Sequence, residues 1–177
     1  MLGVTIHFEG QLREDEHYAV LLREVEAFAV TRGWPFRKID EAEMVLHRVV
    51  DERSVDYLGP VIGIELLPHP KSEPLRFEFD RHLFMQQFCK TQFAGSDAHI
   101  EIIELLRKVA PLFDKLDVFD EGEYWELGDS SILQVNLDTV EALIAEALRK
   151  DPTARGPIRL ENGRVVDFVS DPQPASK

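Results

Sequence analysis

Histidines, carboxylates and a single cysteine are the side chains here able to bind a metal, move a proton or attack an electrophile, and they fall into three groups. In the first, His7 and Glu9 alternate within GVTIHFE, Glu65 lies in GIELL, and Arg76 and Glu78 alternate within LRFEF. If these segments are strands of one sheet, those side chains share its outward face. Histidine and carboxylates supply lone pairs for a divalent cation or a proton relay, which makes His7, Glu65 and Glu78 the candidate metal ligands. Arg76 works against a cation at the same place. The polar halves of strands covering a core account for the pattern more simply, so a divalent metal is not the favoured cofactor.

The second group joins His69, in the proline-bounded PHPKSEP segment, to His82, Cys89 and His99, with Asp97 close in sequence. These four are the candidate catalytic residues. Two histidines and a carboxylate could hold zinc or iron, and a cysteine beside a histidine could act as a nucleophile. None of the spacings is diagnostic: there is no HExxH, and helix-start histidines with a buried structural cysteine would produce the same sequence. The third group is the acidic run Asp117, Asp120, Glu121, Glu123, Glu126 and Asp129. It fails as an EF-hand, because the third position is Phe119 and the twelfth is Gly128. Tyr124 and Trp125, beside Glu123, are instead candidates for contact with a protein partner.

The elements that must position these groups follow from periodicity. Residues 3–9 alternate as a strand with Val4, Ile6 and Phe8 inward. Residues 15–32 carry a helical stripe of Tyr18, Leu21, Leu22, Val25, Phe28 and Ala29, stopped by Gly33 and Pro35. A strand is predicted over 44–50, a loop at DERS and a break at Leu58-Gly59-Pro60. Strands at 61–67 and 75–80 must be antiparallel, because the seven residues between them are too few for a crossover helix. Residues 81–93 read as a short helix with Leu83, Phe84, Gln87, Phe88 and Thr91 near one face. A second helix begins at Ser96 or Asp97 and ends near Pro111, and residues 117–125 supply an edge strand and acidic loop. The last helix is predicted to start near Asp138. Asn162-Gly163 then centres a hairpin.

This order predicts an α+β fold: one domain over 1–169 with an antiparallel or mixed sheet, helices mainly on one face and a flexible tail over 170–177. The order partly resembles a ferredoxin-like sandwich with additions, a likeness that carries no function. At 177 residues and 44% hydrophobic content the chain can bury one sizeable core. No apolar run approaches the roughly 18 residues of a membrane span, and the first residues lack a signal-peptide pattern, so a cytoplasmic protein without membrane contact is expected. One cysteine excludes an internal disulfide framework. The formal net charge of −13 repels phosphate backbones, which argues against nucleic acid as a partner. Dinucleotide-binding, P-loop and GxSxG patterns are missing. The function expected is therefore a non-catalytic accessory or regulatory protein that binds another protein, or itself, through an acidic surface bearing aromatics. A small metal-dependent hydrolase is the rival.

Overall fold

The computed structural model describes residues 3–170. Alternation places Ile6, Phe8 and Leu12 of strand β1 (Thr5–Leu12) in the core. Helix α1 (Asp15–Arg32) follows over the predicted range and buries Leu21, Val25 and Ala29. It closes at Gly33, whose φ of 69° lets the amides of Gly33 and Trp34 return to the carbonyls of Val30 and Ala29.

Strands β2 (Phe36–Val50) and β3 (Arg53–Leu66) form one long hairpin. Its turn residues Asp51 and Glu52 both have positive φ, 48° and 63°, as the two-residue turn matching strand twist requires. The break predicted at Leu58-Gly59-Pro60 does not occur, because Leu58 pairs with Val45 and Gly59 with Met44. β3 then pairs antiparallel with β4 (Leu75–Phe79), as the short connection requires. The backbones approach closely at Gly63, where a Cβ would fall 1.8 Å from the carbonyl oxygen of Phe77.

The predicted helix over 81–93 is instead strand β5 (Phe84–Lys90), paired along β1 from Thr5↔Lys90 to Gln11↔Phe84. Asp80 accounts for the difference. Its Oδ1 accepts hydrogen bonds from the amides of His82 (2.7 Å) and Phe84 (3.1 Å), and Leu83 turns with a φ of 57°. An aspartate that starts a helix reaches forward in the same way, so the local pattern serves either outcome and pairing with β1 decides it.

Helix α2 (Ser96–Val109) ends in a short 3-10 turn at Ala110–Leu112 that contains Pro111. Strand β6 (Phe113–Asp120) pairs with the other edge of β1, and the one-turn helix α3 (Tyr124–Leu127) follows. Helix α4 (Ser130–Lys150) starts well before Asp138, because Asp129 caps it by accepting from the Ser131 amide at 2.9 Å. Strands β7 (Ile158–Arg159) and β8 (Val165–Val166) make the hairpin expected around Asn162-Gly163. Beyond Ser170 the predicted tail lies outside the described residues.

The architecture is mixed α+β, with antiparallel sheets ordered β5-β1-β6 and β2-β3-β4 and joined at the β4–β5 turn. The element order is compatible with the ferredoxin-like comparison. α1 and α2 share the main core with the inward faces of both sheets, and α4 adds Leu133 and Leu137 against Val4. Among the described residues no helix is long and apolar enough to cross a membrane.

A fully buried polar chain ties α2 to the ends of β1, β5 and β6. Thr91 Oγ1 lies 2.7 Å from His99 Nδ1, and His99 Nε2 lies 3.0 Å from Asp120 Oδ2. The Thr91 amide and hydroxyl both reach the carbonyl oxygen of Val4. Asp120 also accepts from the amides of Gly122 and Trp125, which shapes the turn into α3. Burial alone would raise its carboxyl, but the His99 hydrogen bond and charge and the two amides outweigh burial and hold it below the usual carboxylate range. Removing Asp120 leaves His99 Nε2 buried without its partner and strips the amides of Gly122 and Trp125 of their acceptor. Asp120→Ala should therefore lower the unfolding free energy by about 3 kcal/mol in urea titrations. Because the folded carboxyl is depressed, its contribution is complete above the unfolded value near about 4 and is lost as pH falls through the folded value. The parent should lose stability below about pH 4 more steeply than the variant.

Candidate functional site

The β2–β3 hairpin is too long to lie flat beside β4, and a register shift between Glu41 and Met44 bends it. Its outer half arches over the face of β5-β1-β6 turned away from the helices. Two contacts hold the arch. Gln86 on β5 accepts from the Val49 amide (2.7 Å) and donates to the Val49 carbonyl (2.8 Å), while its Nε2 also reaches Glu9 at 2.6 Å. Arg48 donates to Asp80 (2.6 Å) and to the Phe84 carbonyl (3.1 Å), with its guanidinium over the rings of Phe84 and Tyr57. Burial by itself would raise the Asp80 carboxyl, but the Arg48 bond and the amides of Phe84 and His82 hold it below its ordinary value.

The space beneath the arch is a cleft of about 1070 Å³. Its floor carries two rungs of direct cross-strand partners, Phe88–His7–Phe119 and Gln86–Glu9–Asp117. One wall is cationic. Arg37 and Arg76 grip Glu65 at 2.8 and 2.6 Å, and Arg164 lies 3.7 Å from the Phe88 ring centroid. Arg164 is fixed by Glu73 and the Phe88 carbonyl. Glu73, buried in the PHPKSEP connection, also accepts from the amides of Lys90 and Val165, so this connection clamps the C-terminal hairpin against the sheet.

Of the first group, the structure brings His7, Glu9, Arg76 and Glu78 to this cleft. Glu65 lies alongside, held by its two arginines, with burial overcome and its carboxyl kept below the usual range. Glu78 is different. Burial raises its carboxyl, opposed by the charges of Arg76 (3.8 Å away) and Arg164, while Gln87 Nε2 donates to it at 2.6 Å. The proposed metal set of His7, Glu65 and Glu78 is not assembled: among the described residues no group of three or more histidine, cysteine, aspartate or glutamate side chains could hold a metal ion. Arg76 lies between the two carboxylates, 2.6 Å from Glu65 and 3.8 Å from Glu78.

The second group is dispersed. Cys89 is fully buried, its thiol donating to the Glu73 carbonyl, and burial pushes its pKa far up, which removes the thiolate a nucleophile needs. His99 is sealed between Thr91 and Asp120. His82 is exposed in the β4–β5 turn, and His69 accepts from the Lys71 amide within its own loop. Asp97 sits in the exposed first turn of α2. No hydrogen bond joins any two of these five among the described residues. Tyr124 and Trp125 pack against the main core, and Arg107 covers both rings and donates to both their carbonyls. Glu123 turns with a φ of 62° and takes a hydrogen bond from Asn136.

The apolar part of the cleft has no clear signature in the sequence. Val45, Val49, Phe88 and Phe119 all line it and stay 45%, 60%, 40% and 64% exposed. Phe88 sits on the apolar face of a helix that does not form. Phe119 lies in the edge strand predicted over 117–125, next to Asp120 and two residues from Asp117 in the acidic run. Compared with family models, curated proteins and solved structures, the chain has no significant match in any of the three.

Two measurements test this geometry. Gln86→Leu removes both hydrogen bonds to Val49, so the Val49 amide should exchange with solvent roughly tenfold faster while core amides are unchanged. In a carboxyl-resolved NMR titration Glu78 should titrate above the free-glutamate value of about 4.3, and Arg76→Met should move it higher still. With a raised folded pKa, the stability contributed by Glu78 is complete below the unfolded value and lost as pH rises through the folded one.

Proposed function

We propose that this is a non-catalytic binding protein that takes a segment of a partner protein into the arched cleft. The observation that carries the reading is the convergence of four solvent-open apolar side chains, from β2, β5 and β6, on one concavity. Scattered exposed apolar residues are ordinary, but a concave apolar strip rimmed by fixed polar groups has the anatomy of an interface. The surrounding polar groups support the same reading. Arg37, Arg76, Glu78, Arg164 and Gln86 are held by neighbours, so they shape the rim without having to reorganise when a partner arrives.

The acidic, aromatic-bearing surface expected from sequence keeps its chemistry with other residues. Phe88 and Phe119 supply the rings, and Glu9 and Asp117 supply the nearby carboxylates. With a net charge of −13, the preferred partner is basic and encounter is steered electrostatically. A second copy of an equally acidic chain fits less well, which places a different protein ahead of self-association. The metal-dependent hydrolase has no gathered ligand set behind it among the described residues.

The test pairs solution mass with quantitative partner capture. The parent should sediment as a monomer and retain a specific protein that Val49→Asp/Phe119→Asp loses. Covering two large apolar side chains is worth about 1.5–3 kcal/mol each, so affinity for that protein should fall well over tenfold. Tyr124→Ala should leave it within about twofold, as expected for a residue outside the cleft. Equal capture by the cleft variant would overturn the reading.

A further inference from the structure

The row of three rings on the cleft floor has two unlike ends. Phe88, His7 and Phe119 are direct cross-strand partners, with neighbouring centroids 5.9 and 5.8 Å apart and planes inclined by 33° and 37°. At one end the Phe88 ring already carries a cation, because Arg164 lies over it with a carboxylate of Glu73 at 3.1 Å. At the other end Phe119 is the most exposed ring in the row.

Carboxylates surround that open end. Asp117 lies two residues before Phe119 within β6, where side chains two apart share a face, and Glu121 follows just past the end of that strand. Glu9 is the cross-strand partner of Asp117. Glu121 stands 3.6 Å from His7 Nε2 and accepts from the Thr5 amide. Lys115 pairs with Asp117 through exposed side chains, a contact that water and salt readily replace. The Phe119 end therefore matches the Phe88 end in chemistry, an aromatic face with carboxylates beside it.

Building on the binding-protein reading, we propose that the Phe119 end takes an arginine side chain from an extended segment of the partner. The guanidinium lies on the Phe119 ring, and its N–H groups face Asp117 and Glu121. A planar, weakly hydrated cation with a fork of donors suits a ring flanked by carboxylates better than the compact, strongly hydrated ammonium of lysine. The segment runs along β6, which pairs with β1 on one side and with no strand on the other among the described residues. Aromatic rings on an open sheet face can also stack nucleic-acid bases, but Glu9, Asp117 and Glu121 would repel the phosphates that accompany them.

The experiment uses the whole protein, isotope-labelled for aromatic NMR, titrated with a blocked Val-Thr-Arg-Thr-Val peptide. The controls are its citrulline counterpart, which keeps the shape without the charge, its lysine counterpart and a short oligothymidylate. The arginine peptide should shift the Phe119 and His7 ring signals and bind most tightly, with affinity falling as salt rises. Phe119→Ala and Asp117→Asn should each weaken it about two- to fivefold. Equal binding of the citrulline peptide, ring signals that stay fixed, or tighter binding of oligothymidylate each overturns the proposal. Fixed ring signals together with loss of the captured partner in Val49→Asp/Phe119→Asp would leave a protein-binding cleft without the arginine subsite. Arginine-selective ring shifts with partner capture unaffected by that double variant would keep the subsite and remove the larger reading.

Discussion

The salt bridge between Arg48 and Asp80 joins the part of the molecule that makes the core to the part that makes the cleft. Asp80 sits where β4 leaves one sheet and β5 enters the other, and its first oxygen sets that turn through the amides of His82 and Phe84. Its second oxygen holds Arg48, which descends from the arch of the long hairpin. One carboxylate thus fixes both the corner between the sheets and the height of the roof above it. A nearly buried ion pair gives little net stability, since desolvation offsets much of the Coulomb attraction. What it supplies is position. An apolar pair here could slide, whereas an arginine bonded to a carboxylate and a carbonyl and flanked by two rings has one arrangement.

Buried carboxylates serve the same purpose elsewhere, each where the chain changes direction and amides lack ladder partners. Asp120 organises the exit from β6, and Glu73 organises the return of the C-terminal hairpin. Much of the acidity apparent in the sequence near the strand ends is therefore structural. This explains why the acidic run around 117–129 does not behave as one surface. Asp120 points inward to His99 and Asp129 caps α4, while Asp117 remains outside.

These local roles also mark what could be read without coordinates. β1, α1, the β3–β4 pairing and the Asn162-Gly163 hairpin were legible because one side-chain period or one turn signal decides each of them. β5 was not, because Leu83, Phe84 and Phe88 fit a helical spacing and Asp80 is a valid helix start. The edge of β1 overrode both. The long hairpin escaped because its turn is Asp51-Glu52 rather than Asn-Gly, and because Gly59-Pro60 resembles a break. For the site, period-two alternation was enough to turn His7 and Glu9 outward on β1 and Arg76 and Glu78 outward on β4, although these strands belong to different sheets. It could not show that the face is roofed, since the arch depends on Gln86 meeting Val49 across 37 residues of chain.

The roof also resolves an apparent conflict in the charges. A chain with a net charge of −13 nevertheless places Arg37, Arg76 and Arg164 along one wall of the arched cleft and carboxylates along the opposite side of the floor. In the proposed binding role, a partner approaching to within about a Debye length, roughly 8 Å, would meet the net field, which favours basic proteins. Inside the cleft the separation of signs would matter more, because a bound segment would have to align its own charges with both sides. The arginines contribute little raw affinity, being already bound to Glu65 and Glu73. In the proposed binding role they would set orientation by opposing a reversed segment, and the contact energy would come from the open faces of Val45, Val49, Phe88 and Phe119. On the proposed reading, net charge would bear on which protein approaches, and the local arrangement on which way round it lies.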